Sequence, residues 1–244
     1  MYLQELISSH PDAHCYGEVL LGMDGPTAVG FPGPLARQRL LRHAWQHVLS
    51  GSALRPQRVL RRAVDSPETG VAGVRVMYNQ VNRRVMRFME DLSVSVIHVR
   101  RANILQQYVS LTQMRERQRT LGASSAHSRA PVTFAPTIVK PQLALEFVQR
   151  RDAEQTRFAA WCDARASMSI WYESDIMGIS AERAGAQVDD EPLDLRIQGF
   201  LGLDRRELKS DTVKTGGRTV AQSVGNFEDL SRAFIGTPYA WMLE

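Results

Sequence analysis

With 244 residues, 43% of them hydrophobic and 23% charged, the chain has the size and composition of one globular domain, which excludes a disordered or fibrous protein. The longest apolar run, within residues 93–99, is far short of the roughly 20 residues a membrane helix needs, and residues 1–10 carry no signal-peptide pattern, so a soluble, cytoplasmic protein is expected. The formal charge of +4 is spread along the chain and suits an anionic ligand, while an aromatic share of 7%, with no rings interleaved among the basic runs, argues against nucleic acid.

The first segment, residues 2–9, reads as a helix with Leu3, Leu6 and Ile7 on one side, stopped at Ser9-His10-Pro11. A short extended piece at 15–21 precedes a Gly/Pro loop at 22–34 and a helix at 35–50. Residues 71–77 form a strand candidate, 80–90 a helix, and 92–99, rich in Val and Ile, a buried parallel strand. A helix over 103–121, a Ser/Pro/Ala-rich loop over 123–136, a long helix over 142–165 and a strand over 168–172 follow. After acidic, loop-like sequence at 185–192 come a short helix at 193–203, a polar loop at 209–225, and a last helix at 227–234 capped by Asn226. Alternating strands and helices with long connections predict a parallel sheet covered on both faces, an α/β protein of one domain over residues 1–244.

Cys15 and Cys162 form neither a CxxC pair nor a disulfide framework. His43 and His47 are four apart but lack the glutamate of HExxH, so no metal site is expected. The basic runs Arg83-Arg84 and Arg115 to Arg119 fall within helices and read as solvated faces.

The most informative stretch is Val96-Ile97-His98-Val99-Arg100-Arg101-Ala102-Asn103 and the helix after it. A buried strand delivers two arginines at its carboxyl end, where open α/β sheets bind ligands, and a helix starts at once. Helix amides and an arginine fork together outline an anion site, to which Ser110 adds a hydroxyl. Arginines that merely close the strand in solvent are the alternative.

This segment resembles the 3′-phosphate-binding segment of sulfotransferases, in particular the bacterial enzymes that sulfate trehalose or the Nod-factor oligosaccharide. In those an arginine and a serine nine positions on bind the 3′-phosphate of PAPS (3′-phosphoadenosine 5′-phosphosulfate), the spacing of Arg101 and Ser110. Further pieces follow in family order. Ser9-His10-Pro11-Asp12 leads to Tyr16-Gly17-Glu18-Val19, and Gly73-Val74-Arg75-Val76-Met77-Tyr78 is similar to a strand motif that usually has lysine at the position of Arg75. Phe200-Leu201-Gly202-Leu203, Thr212-Val213-Lys214, Asn226-Phe227-Glu228-Asp229-Leu230 and Gly236-Thr237-Pro238-Tyr239 resemble the family's carboxyl terminus.

The resemblance implies a three-layer sandwich with a central parallel sheet, the P-loop-like sulfotransferase fold. It implies transfer of a sulfuryl group from PAPS to a hydroxyl of a saccharide or glycolipid, with no metal and Glu18 as base. Arg101 and Ser110 would hold the 3′-phosphate, and Lys214 and Arg218, in a loop with Gly216 and Gly217, would close over the nucleotide. Arg75 would contact sulfate or acceptor, although a planar fork replaces a point charge there. Family members open with a strand and a loop that wraps the 5′-phosphosulfate, and here Met1 falls inside the helix that follows, so the first strand is expected to be missing and the chain N-terminally truncated. The second expectation is therefore an inactive remnant that binds only the nucleotide 3′-phosphate. Oligomeric state, a homo-oligomer included, is left open.

Overall fold

The computed structural model describes residues 2–15, 70–81, 83–121, 135–179, 191–211 and 218–244. The protein is mixed α/β and divides into two compact units. One comprises residues Met1–Val94 and Ile197–Thr212, the other Ser95–Arg196 and Val213–Glu244. The extended piece expected beyond Cys15, the Gly/Pro loop, the helix at 35–50 with His43 and His47, and the greater part of the 123–136 loop lie outside the described residues.

In the first unit α1 (Tyr2–Ser8) buries Leu6 and ends where Ser9 turns its hydroxyl back onto the Leu6 carbonyl at 2.7 Å. His10 is 2% exposed and uses both ring nitrogens. Nδ1 accepts the Asp12 N–H at 3.1 Å, which leaves Nε2 to donate to the Asp204 carbonyl at 3.0 Å. β1 (Ala13–Cys15) pairs in parallel with β2 (Val71–Gly73), Ala13 opposite Val71.

The strand expected over 71–77 is paired only as far as Gly73. Val74 and Val76 instead pack on α2 (Arg83–Asp91), around buried Val85 and Phe88. A 3₁₀ turn (Tyr78–Gln80), closed by the Gln80 side chain accepting the Met77 N–H at 2.9 Å, precedes that helix. Leu92 and Ser93, expected to open the next strand, are consumed in ending α2. Ser93 takes a left-handed φ of 49°, and the Ser93 and Val94 N–H groups return to the Glu90 and Met89 carbonyls.

The second unit holds β3 (Val96–Arg100) and β4 (Ser167–Trp171), paired in parallel with Val96 opposite Ser167 and Arg100 opposite Trp171. Between them run α3 (Ile104–Leu121) and α4 (Pro141–Cys162). Pro141 sits at the first helical turn, where its missing N–H costs nothing. Along α4 the buried residues Ala144, Val148, Gln155 and Cys162 keep to one stripe of the helix, and Leu105, Val109 and Gln113 do the same on α3. These faces enclose a core completed by Val139, Val220, Val224, Leu230, Phe234 and Met242.

α5 (Leu193–Leu201) is closed by Gly202 at φ 67°, a conformation glycine adopts without strain, with the Leu203 N–H on the Gln198 carbonyl at 2.9 Å. The polar loop expected over 209–225 contains a helix, α6 (Val220–Ser223). Thr219 and Gln222 form a reciprocal capping box at its start. α7 (Phe227–Phe234) has the expected bounds, but Asn226 does not cap it. Its side-chain amide instead accepts the Val139 N–H at 3.0 Å and donates to the Val139 carbonyl at 2.9 Å. Gln198 grips Arg206 in the same two-way manner, at 2.6 and 3.0 Å. A 3₁₀ turn (Ala240–Leu243) ends the chain. Among the described residues no helix is long and apolar enough to cross a membrane.

Candidate functional site

The junction of β3 and α3 is built from four segments of the second unit. Arg100 ends the strand and lays its guanidinium over the ring of Trp171, its partner in register, at 4.1 Å, with Nε buried and unbonded. Arg101 is fixed through its backbone. The Gln155 side chain, on α4, accepts the Arg101 N–H at 2.7 Å and donates to the Arg101 carbonyl at 3.1 Å. Ala102, packed against Trp171 and Trp241, leads to Asn103, whose Oδ1 caps α3 by accepting the Gln106 N–H at 2.8 Å. Asn103 Nδ2 donates to the Met242 carbonyl at 2.9 Å, tying the last turn of the chain to the start of α3.

The fourth segment is a five-residue π turn (Tyr172–Ile176) directly after β4. Glu173 accepts the Ala102 N–H at 2.8 Å and the Asn103 N–H at 3.3 Å, and stands 3.5 Å from the Arg101 guanidinium. The Tyr172 ring lies under that guanidinium, its centroid 3.5 Å from Arg101 Cζ. The amides of Ala102, Asn103 and Gln106 are thus already satisfied by the chain itself. These three junction amides are therefore engaged within the chain rather than turned toward a ligand.

That side chain is 23% exposed, and among the described residues nothing accepts a hydrogen bond from its guanidinium, the Glu173 contact being too long. A guanidinium held over a ring and still part-exposed can present its fork to a phosphate bidentately. Ser110 is exposed on α3 in the same unit. Arg218, also exposed, lies just ahead of the Thr219 cap of α6. Arg75 is half-buried in the first unit, between β2 and the 3₁₀ turn. Glu18 and Lys214 lie outside the described residues.

Behind the junction His98, 3% exposed, packs edge-on against Phe158, and burial with the neighbouring Arg100 lowers its pKa to about 4. Sequence reasoning singled out Arg101 but passed over Gln155, Tyr172 and Glu173. A carboxylate immediately after a strand was the available signal for Glu173, since β4 delivers it to the same sheet edge as the end of β3. Gln155, inside a long helix, gave none. Among the described residues no group of three or more His, Cys, Asp and Glu side chains comes together to hold a metal ion.

No family model, curated protein or solved structure matches this chain.

Proposed function

We propose that the protein is a sulfotransferase that moves a sulfuryl group from PAPS to a hydroxyl of a saccharide or glycolipid, in a cytoplasmic setting. What supports the reading is Arg101, its backbone held at the carboxyl end of a parallel strand and its guanidinium accepted in a hydrogen bond by nothing among the described residues, within an ordered series of short motifs like those of bacterial carbohydrate sulfotransferases. The reading carries with it a three-layer sandwich around a central parallel sheet.

In the proposed reaction the acceptor oxygen attacks sulfur in line. The sulfur–oxygen bond to the 5′-phosphate breaks, its electron pair leaves with adenosine 3′,5′-bisphosphate, and the acceptor proton passes to Glu18. Arg101 and Ser110 hold the 3′-phosphate, Lys214 and Arg218 neutralise the nucleotide, and Arg75 faces sulfate or acceptor.

The test is calorimetry of the full chain with adenosine 3′,5′-bisphosphate and with adenosine 5′-phosphate, followed by transfer of radiolabelled sulfate from PAPS to a panel of saccharides and glycolipids. The bisphosphate is expected to bind at least about tenfold tighter than the monophosphate, the scale of one lost charge-assisted hydrogen-bonded contact, and label is expected in an acceptor. Equal affinities would overturn the 3′-phosphate assignment. Tight binding with no transfer to any acceptor would leave a nucleotide-binding protein without turnover.

A further inference from the structure

Two consecutive residues, Tyr172 and Glu173, address the same guanidinium. The Tyr172 ring centroid lies 3.5 Å from Arg101 Cζ, and Glu173 Oε1 lies 3.5 Å from Arg101 Nη1. Neighbours in an extended strand point to opposite faces, so a strand continued past Trp171 would send one of the two away. The π turn at Tyr172–Ile176 breaks that alternation.

The turn is itself pinned. Asp175 accepts the Trp171 N–H at 2.6 Å through Oδ2 and the Arg196 Nη1 at 2.5 Å through Oδ1, and the Met177 N–H returns to the Tyr172 carbonyl at 3.0 Å.

We propose that Tyr172 and Glu173 are positioning residues that hold Arg101 ready for a phosphate, an inference that rests on reading Arg101 as the phosphate ligand. Glu173 uses both oxygens on backbone N–H groups, at 2.8 Å to Ala102 and 3.3 Å to Asn103, and its approach to the guanidinium is the longest of its contacts. The carboxylate therefore fixes the two residues after Arg101 and biases its fork without occupying the donors. Tyr172 supplies an aromatic face under the guanidinium, an attraction that needs none of the in-plane N–H donors. A long flexible side chain ordered before the ligand arrives does not lose that freedom on binding, so affinity rises.

The test is calorimetry with adenosine 3′,5′-bisphosphate on the full chain and on Glu173→Gln, Tyr172→Leu, Arg101→Ala and the two double variants with Arg101→Ala, each checked by thermal melting. Glu173→Gln keeps one acceptor but loses the other and the charge, and is expected to weaken binding about tenfold. Tyr172→Leu is expected to weaken it about threefold or more, within the range of exposed cation–π contacts. In the Arg101→Ala background neither is expected to cost more than about a further twofold, because residues that act through one group are not additive. A role in stability alone would give losses that persist without Arg101.

Unchanged affinity in Glu173→Gln, tighter binding that would mark the carboxylate as a competitor, or additive losses would each overturn the proposal while leaving the nucleotide reading in place. Failure of the unsubstituted chain to bind would remove both. If Glu173→Gln does not fold, Tyr172→Leu and its double variant decide the matter by the same criteria.

Discussion

The Gln155 side-chain amide bonds both the backbone N–H and the backbone carbonyl of Arg101, as a residue of a neighbouring strand would. Gln155 is 4% exposed, so water does not replace it readily. Gln155→Leu fills the same volume but abandons a buried N–H and a carbonyl, and is expected to cost about 2–3 kcal/mol, the scale of stranded polar groups. Urea unfolding would show this as a lower midpoint with an unchanged slope. A loss under about 0.5 kcal/mol, the range of ordinary surface substitutions, would mean that the junction holds Arg101 by other means.

Arg101→Ala is expected to weaken binding of adenosine 3′,5′-bisphosphate by about 1.5 kcal/mol or more, the scale of a charge-assisted hydrogen bond. The thermal midpoint is expected to shift little, since the lost contacts are a part-exposed ring stacking and an ion pair beyond hydrogen-bonding distance. Unchanged affinity would take Arg101 out of the site.

His98 gives the fold a pH dependence with a definite sign. Burial, and next the Arg100 charge, lower its pKa from 6.5 to about 4, with Asp163 opposing. Between these values the unfolded chain binds a proton that the folded one refuses, so stability rises with pH across this window. Acidifying from pH 6.5 towards 4 is expected to remove on the order of 2 kcal/mol on this account. The difference in urea midpoint between the natural chain and His98→Asn should therefore change over that window and be flat above it. Parallel curves would show that His98 takes up its proton as readily in the folded state.

The two thiols should differ in reactivity. Cys162 is 1% exposed, and burial, with Asp163 adding, pushes its pKa up to about 11, so little thiolate forms at neutral pH. Cys15 is only part-buried. Iodoacetamide is expected to alkylate Cys15 in the native protein and Cys162 only with unfolding, as read by peptide mass mapping. Native labelling of Cys162 first would contradict the burial.

Elements written in local pattern were legible. α4, expected over 142–165, runs Pro141–Cys162, α7 has its expected bounds, and β3 and β4 fall within apolar and β-branched runs. What could not be read was mostly what depends on a distant partner. Asn226 looks like a cap in sequence, yet Val139, 87 residues away, claims its amide. The capping box of Thr219 and Gln222 is local but lies behind a glycine-containing stretch that dominated the reading. At the site, the strand end carrying Arg101 could be read, because a strand followed by a helix is a local signal. Gln155, 54 residues from the backbone it bonds, could not, and for Glu173, 71 residues from Ala102, only its place after a strand hinted at a role.

The parallel pairing of β3 with β4 also has a kinetic side. The Ala102–Glu173 bond closes a loop spanning 71 residues, an entropic cost that must be met before the pairing returns anything. α3 and α4, whose backbone hydrogen bonds are local, can form much sooner. Backbone amides in the middle of α4 should therefore gain protection early in refolding by pulse-labelled hydrogen exchange, and those of Ala102 and Asn103 late. The junction proposed to grip the nucleotide would then be the last part of the second unit to mature, and nascent chains would pass through a stage that is folded in its helices but, on that proposal, blind to nucleotide.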